Sequence, residues 1–342
     1  MGEARTVRVG GPWFDELRVG QVFDDAPAVT ITSGHAAMHL ALFGDRLRLP
    51  LDATLSEAVT GRTEPLAHPN LVCNVVIGQT TQASQRVMGN LFYRGLVLLR
   101  PVFVGDTLRT RPTVVGLKQN RARPGKQASG LVALQVQAQN QDGEPVLDFW
   151  RCPMLPLRDP ETETGHADDF SSIPAELDLD RLIAAVPAGW RLDPFRDRIA
   201  AARPALETLE AGAIFVVEGR DTVTAAPELV RLTLNMAAVH TDAEVSGYRR
   251  RLVYGGHTIS MAGAQVLRAL PDIVTILGWR GCDHTGPVFE GDVLRTEVTV
   301  EATHPLDGGA GLVDLRAMVY AGGDGQADER GVLDWRLVAL VA

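Results

Sequence analysis

PVFVGDTLRT, from Pro101 to Thr110, and PVFEGDVLRT, from Pro287 to Thr296, are one phrase written twice, identical at eight of ten positions and 287 − 101 = 186 residues apart. The same offset governs a second pair: VLDFW from Val146 returns as VLDWR from Val332, and 332 − 146 is again 186. Two matches at one offset imply a module repeated with the same chain length between its landmarks. A third echo lies upstream, where LRVGQVF from Leu17 parallels LEAGAIF from Leu209 at an offset of 192, the difference being a small indel. Each copy therefore opens and closes with the same elements. The division that follows is a first module over residues 1–155, a linker over 156–204 and a second module over 205–342.

The second copy shows the elements of one module most clearly. Gly212 to Val217 and Asp221 to Thr224 read as short strands around a turn at Gly219. Pro227 and Glu228 suit the first turn of a helix running toward Leu234, since Pro has no N–H to lose there and Glu faces the positive helix end. A longer helix is expected from Thr258 to Leu270, after the Gly255-Gly256 pair and before Pro271. Its small residues, Ser260, Ala262, Gly263 and Ala264, would let a sheet approach closely. Strands follow at Ile273–Trp279, Val293–Ala302, Gly311–Tyr320 and Val332–Val341, rich in Val, Ile and Thr and separated by Gly-Asp turns. The first copy repeats the order, with strands at Leu91–Leu99, Thr107–Leu117, Gly130–Gln139 and Val146–Leu155. The expected fold class is α+β: a long central helix wrapped by an antiparallel sheet, present twice. In the linker, PETETGHADD from Pro160 reads as the mobile stretch. The later part, with Leu182, Ile183, Trp190 and Phe195, is apolar enough to pack back on a module.

Composition bounds the function. With 342 residues the chain can hold two domains of ordinary size, and 45% apolar against 22% charged residues is a globular balance. The net charge of −9 argues against nucleic acid as a partner, because a duplex is gripped through Lys and Arg. No apolar run approaches the roughly 20 residues of a membrane span, and MGEARTVRVGG has no signal-peptide character, so a cytoplasmic location is expected. The opening MGEART fits the bare myristoylation pattern, a short motif that carries little weight in so bacterial a composition. Cys73, Cys152 and Cys282 show no CxxC spacing and are expected to be buried apolar residues. His35 and His39 have the i, i+4 spacing of metal ligands but lack the HExxH glutamate and a third ligand, so no metal is expected. GxSxG, P-loop and GxGxxG motifs are absent, which counts against serine hydrolases, nucleoside triphosphatases and dinucleotide oxidoreductases.

A helix swaddled by an antiparallel sheet and duplicated in one chain resembles the MaoC-like double hot-dog hydratase/dehydratase family, over nearly the whole length. In that family the active half carries Asp-x-Asn-Pro-aliphatic-His, then a strand end and a His-Gly turn opening the central helix. The matching segments here are Asn235-Met236-Ala237-Ala238-Val239-His240 and Tyr254-Gly255-Gly256-His257. These, GLKQN from Gly116 and QNQDGEPVLDFW from Gln139 look most like the mesaconyl-CoA hydratase (β-methylmalyl-CoA dehydratase) subgroup. The resemblance implies a lyase that reversibly hydrates a 2-enoyl thioester of coenzyme A, with a short, branched or dicarboxylic acyl group and no further cofactor. The chain departs from the family where Asn235 replaces the acid and Ala237-Ala238 replaces Asn-Pro. The mesaconyl-type subgroup shares that Asn.

Such a reaction needs a base for the water, a proton for the α-carbon and positive potential at the thioester oxygen. His240, in a loop after a helix, is expected to face a cleft and titrate near neutrality, serving water and carbon in turn. Asn235 can orient a water but not deprotonate it. The N–H groups of Gly255 and Gly256, bare of side chains, are the expected oxyanion donors. Tyr254 and His257 are candidate pocket residues, His257 equally a helix cap. Arg249, Arg250 and Arg251 could grip coenzyme A phosphates or simply form a solvated loop. Asp283 and His284 face either the cleft or the turn before Pro287. The first copy has Asp45 but Arg48 or Pro50 where His240 would stand, so one site per chain is expected. Two rivals share the scaffold: a thioesterase, which wants a carboxylate that Asn235 does not supply, and a non-catalytic acyl-CoA binding protein. A homodimer is a further assembly that the sequence leaves open.

Overall fold

The computed structural model describes residues 6–174, 176–200, 209–323 and 329–342. The chain runs β1 (Val29–Thr30), α1 (Ser33–Phe43), α2 (Arg48–Leu51), α3 (Ala53–Thr60), α4 (Pro69–Gln79), β2 (Gly89–Leu98), β3 (Thr107–Gln119), β4 (Ser129–Gln139) and β5 (Pro145–Pro156). It continues with α5 (Leu179–Ala184), α6 (Asp193–Ile199), β6 (Ile214–Val216), β7 (Asp221–Thr222), α7 (Ala226–Leu232), α8 (Gly255–Ala269), β8 (Ile273–Asp283), β9 (Val293–Pro305), β10 (Gly311–Gly322) and β11 (Arg330–Val341). The expected double hot-dog architecture, a helix and antiparallel meander repeated, is what the chain adopts.

The repeated phrase owes its identity to one turn. In each copy the Asp carboxylate accepts from the Phe N–H three residues earlier, Asp106 from Phe103 at 2.8 Å and Asp292 from Phe289 at 3.0 Å. The Gly before each Asp takes a positive φ, 111° at Gly105 and 91° at Gly291, a conformation open to a residue without Cβ. Both turns feed the second long strand after the central helix, β3 in one copy and β9 in the other.

The two meanders join edge to edge. The strand order β1-β3-β4-β5-β2-β8-β11-β10-β9-β6 is continuous because β2 pairs antiparallel with β8, with Tyr93 opposite Cys282 and Val97 opposite Gly278. The two copies are thus mirrored about the β2–β8 seam. The central helices α4 and α8 lie together, nearly every residue of each buried. Asn74 Nδ2 donates to Ser260 Oγ at 2.9 Å, and 260 − 74 = 186, so equivalent positions of the two copies meet at the pseudo-dyad. Small residues of α8 thus admit the partner helix at Gly256, Ser260 and Gly263, while β9, β10 and β11 also pack against α8. A Cβ on Gly256 would stand 2.0 Å from Asn74 Oδ1, and one on Gly263 2.5 Å from Asn70 Nδ2.

The linker has more order than its composition suggests. PETETGHADD lies along β3, with the Gln119 side chain bonded to Thr162 and Thr164 and the Leu117 N–H donating to Asp168. The expectation of a mobile stretch is corrected by these bonds: polar residues here satisfy an exposed strand edge. Further on, Leu182, Phe195 and Ile199 pack into a second core with Val97, Val274, Leu277 and Val338 of the strands at the seam. Trp190 is partly buried there, whereas Ile183 is exposed. The expected end of the linker at 204 lies outside the described residues. All three cysteines are buried, and no helix among the described residues is long and apolar enough to cross a membrane.

Candidate active site

A cavity of about 260 Å³ opens where the two copies meet. The first copy supplies Ile77, Thr81, Asn90, Tyr93 and Arg151, and the second supplies Asn235, Val239, His240, Tyr254, Gly255 and His284 among others. The elements explain the convergence. The helix α7 ends at Leu232, and a tight bend with Leu234 at φ 54° throws Asn235 to Ala237 back across the start of a 3-10 turn, Ala238–His240. The Ala238 N–H donates to Gln85 O and the Met236 N–H to Thr81 Oγ1, so the first copy holds this loop in place.

His240 is fixed by one bond. Its Nδ1 lies 2.8 Å from the Leu252 carbonyl. A carbonyl only accepts, so Nδ1 carries the proton and Nε2 keeps its lone pair. Burial pushes the ring down to about 4, the bond to Leu252 opposing the shift and the Arg151 cation adding to it. This corrects the expectation of titration near neutrality: the loop after α7 is enclosed by the other copy, and desolvation disfavours the imidazolium. A neutral ring at physiological pH is the form a base requires.

Asn235 is 8% exposed and its Oδ1 accepts from the Ala237 N–H at 2.9 Å. Its Nδ2 donors and the second lone pair of Oδ1 remain available. Gly255, which lines the cavity, begins α8, and that helix has no side-chain cap, so its positive end lies at the cavity. A Cβ on Gly255 would stand 2.4 Å from His284 Nε2. That ring, also depressed to about 4 by burial, with His240 and Arg151 adding to the shift, leaves its Nε2 buried and without a hydrogen-bond partner.

The structure separates candidates that the sequence grouped. Asn235, His240, Tyr254, Gly255 and His284 line one cavity, whereas Gly256 packs on Asn74, and Asp283 is outside the lining. His257 is turned away: its Nε2 meets the Thr224 carbonyl at 2.9 Å and its ring stands edge-on to Phe43. The three arginines lie outside the lining as well, Arg249 on Glu244, Arg251 on Glu290, and Arg250 over the Phe289 ring. His35 bonds Thr32 at the start of α1, and His39 stacks on His68, whose Nε2 is 3.0 Å from Asp45. Sequence reasoning missed Arg151, Tyr93 and Tyr248, which also line the cavity. A signal for Arg151 existed: 151 + 186 = 337, and the second copy has Leu337 there, buried in the core.

Two hot-dog modules sharing one seam, with a cavity rich in polar groups between them, define a double hot-dog protein with a candidate site where the copies meet. Comparisons with known proteins narrow the class. The chain is 30% identical over 353 residues to a beta-methylmalyl-CoA dehydratase from Chloroflexus aurantiacus, covering 97% of each. It is 29% identical over 328 residues to a mesaconyl-CoA hydratase from Cereibacter sphaeroides, covering 92% of the chain and 90% of the relative. Among solved structures, a conserved hypothetical double hot-dog protein from Mycobacterium tuberculosis matches at TM-score 0.88 and 48% identity, over 98% of this chain and 99% of that one. A putative MaoC domain dehydratase from Chloroflexus aurantiacus matches at TM-score 0.80 and 26% identity, over 97% of both. No protein-family model matches the chain. The chain belongs to the MaoC-like double hot-dog hydratase/dehydratase family.

Proposed function

We propose that the protein is a carbon–oxygen lyase that reversibly hydrates a 2-enoyl-CoA thioester, as the names of its relatives suggest for them. The observation that carries this reading is the His240–Leu252 bond, which leaves a neutral imidazole with a free Nε2 in the cavity where the uncapped end of α8 is bare. In the hydration direction, Nε2 takes a proton from a water held by the Asn235 Nδ2 donor. The water oxygen bonds to the β-carbon, and the π electrons move through the α-carbon onto the thioester oxygen. The Gly255 N–H and the helix end hold that negative charge. The imidazolium then returns its proton to the α-carbon, so water is added and His240 is restored. Asn235 orients the water through its Nδ2 donor, while its Oδ1 accepts from the Ala237 N–H.

The cavity of about 260 Å³ favours a short acyl group, since small-molecule sites usually run about 300–1,000 Å³. The arginine run at 249–251 sits outside the cavity, so it could meet only the distal part of coenzyme A. Incubating the protein with a panel of enoyl-CoA esters tests the reading. Loss of the conjugated thioester absorbance without free thiol is the expected result. Thiol release would make the protein a thioesterase, and binding with neither would make it a carrier or sensor.

A further inference from the structure

The repeat gives the cavity a counterpart. Leu66, Pro69, Val72, Leu98 and Pro101 line a residual hollow of about 20 Å³ in the first copy. Adding 186 to each number gives Leu252, Gly255, Thr258, His284 and Pro287, all on the wall of the large cavity. Ala185, Pro187 and Trp190 of the linker also line the hollow, so the chain itself fills that space. Of the five positions two keep their residue. The other three, read from cavity to hollow, each lose a polar group: Gly255 becomes a proline without N–H, Thr258 a valine and His284 a leucine. The helix tips differ in the same sense. In α4 the N-cap His68 accepts from the Asn70 N–H through Nδ1 at 3.0 Å, and Pro69 follows with no N–H to offer. In α8 those places are held by Tyr254 and Gly255, with no side-chain cap. The fold thus closes the helix tip in the filled hollow and leaves the other bare, and a histidine stands beside only the bare one.

The protein holds His284 at that tip from both copies. It follows the end of β8, and the next two N–H groups, of Thr285 and Gly286, reach the Val332 carbonyl at 3.1 and 3.4 Å. Tyr93 of the first copy stands edge-on to the ring at 6.1 Å. So placed, the ring comes close enough to α8 that a Cβ on Gly255 would stand 2.4 Å from Nε2, and a residue with a side chain there would push it away. Nε2 is buried with no hydrogen-bond partner among the described residues. A buried polar atom without a partner costs stability, and leucine fits the same position in the other copy, so the fold alone does not call for the imidazole. Burial keeps the ring neutral, with His240 and Arg151 adding to the effect, and the positive end of α8 acts in the same direction.

We infer that His284 is a catalytic residue that donates a hydrogen bond to the thioester oxygen beside the Gly255 N–H, so that the oxyanion site has two donors, one from the helix tip and one from a neutral imidazole. The inference rests on the hydratase reading and deepens it. A neutral ring carries one N–H, and with no protein acceptor or donor at Nε2 the proton can sit there and face the oxygen. As negative charge gathers on that oxygen the bond strengthens, and as the electrons return to the α-carbon it relaxes. No proton passes between ring and oxygen. A neutral imidazole near a helix N-terminus is suited to this work, because it polarises a carbonyl without protonating it. A second base is the poorer reading: His240 takes one proton from water and returns it to carbon, so the cycle closes with no further acceptor.

The test compares the parent with His284→Leu, which installs the residue of the other copy, and with His284→Gln, whose amide keeps an N–H donor. Two readouts are used. The first is kcat and KM for the enoyl-CoA esters that the parent turns over. The second is the infrared stretch of the thioester carbonyl in bound butyryl-CoA and succinyl-CoA, labelled with carbon-13 at that position, which needs no turnover. In the parent the stretch should lie below its value in the free ligand. His284→Leu should lower kcat about 10²- to 10³-fold with KM little changed, the range for one oxyanion donor, and should bring the stretch back toward the free value. His284→Gln should recover part of both. Thermal unfolding of His284→Leu should match or exceed that of the parent, since an unpartnered buried nitrogen is removed. Should the leucine variant fail to fold, His284→Gln still decides, because its bound stretch must lie between those of the parent and the free ligand. A fall in kcat with the parental stretch retained would assign His284 to proton transfer or packing and overturn the proposal. So would a parent that leaves the stretch of both ligands at the free value. If the stretch depends on His284 but no enoyl ester is hydrated, the hydratase reading fails while the carbonyl donor stands. If an enoyl ester is hydrated and His284→Leu alters neither readout, the donor is removed and the hydratase reading is left intact.

Discussion

The Leu252 carbonyl decides which nitrogen of His240 is available, and the surrounding protein decides its charge. With Nδ1 donating to that carbonyl at 2.8 Å and burial setting the ring at about 4, Nε2 is an unprotonated acceptor throughout the neutral range. The rate should therefore be nearly flat between pH 5.5 and 8, with the acid limb of kcat/KM falling near 4 rather than near the ordinary imidazole value of 6.5. A pH profile that halves near 6.5 would contradict this assignment. The sequence pointed to His240 through its place in the repeat and its family motif. It could not report the shift, because burial is a property of the folded cavity, to which both copies contribute residues far apart in the chain. Arg151 left one trace in the sequence, the Leu337 at its repeat position, but that mismatch does not say that the side chain lines a cavity.

At the scale of the element, the start of α8 does two jobs that adjacent glycines divide between them. A Cβ at Gly255 would fall 2.4 Å from His284 Nε2, at the cavity, whereas one at Gly256 would fall 2.0 Å from Asn74 Oδ1, in the contact with α4. Gly255→Ala should displace His284 or the helix end and lower kcat/KM on the order of 10²-fold, with little change in the melting temperature. Gly256→Ala forces apart two packed helices and should destabilise the protein by about 1–3 kcal/mol. Melting curves and initial rates of the two variants separate the roles, and a pair of variants indistinguishable in both would refute the division. The elements were legible in the sequence: α8 was expected from Thr258 to Leu270 and spans Gly255–Ala269, and β9 to β11 begin within two residues of their expected starts. What small residues along α8 were packing against was not legible, because small side chains record a close neighbour without naming it. The polar linker misled for a related reason, since composition does not show that Gln119 and Leu117 offer it hydrogen bonds.

For the whole molecule, the duplication leaves a seam that is both core and active site. The second copy carries the catalytic candidates, yet the first copy bonds the His240 loop through Thr81 and Gln85 and lends Arg151 to the cavity. The histidines of this shared region also tie stability to pH. His240, His257 and His284 are each lowered to about 4 in the folded chain, against 6.5 for an ordinary imidazole. A lowered folded value favours the neutral ring, so their contribution is complete above about 6.5. As the pH falls below that, the unfolded chain takes up protons that the folded chain refuses, and stability declines toward pH 4. Denaturant midpoints at pH 7.5, 6 and 5 should fall in that order, and a midpoint that rises on acidification would be incompatible with three buried neutral rings. The duplication was readable from an offset of 186 and the fold class from the helix and strand pattern of each copy, while the cavity between them was not, since a repeat says what is duplicated and not where the copies touch.

The central claim is that one imidazole, held neutral and oriented by Leu252, moves the proton in a hydration reaction. The measurement that tests it most directly follows the enoyl-CoA absorbance for His240→Ala beside the parent, with binding of the saturated acyl-CoA measured on both. The account predicts a fall in kcat of about 10²- to 10⁴-fold with binding nearly unchanged. A variant that turns over at the parental rate would contradict it.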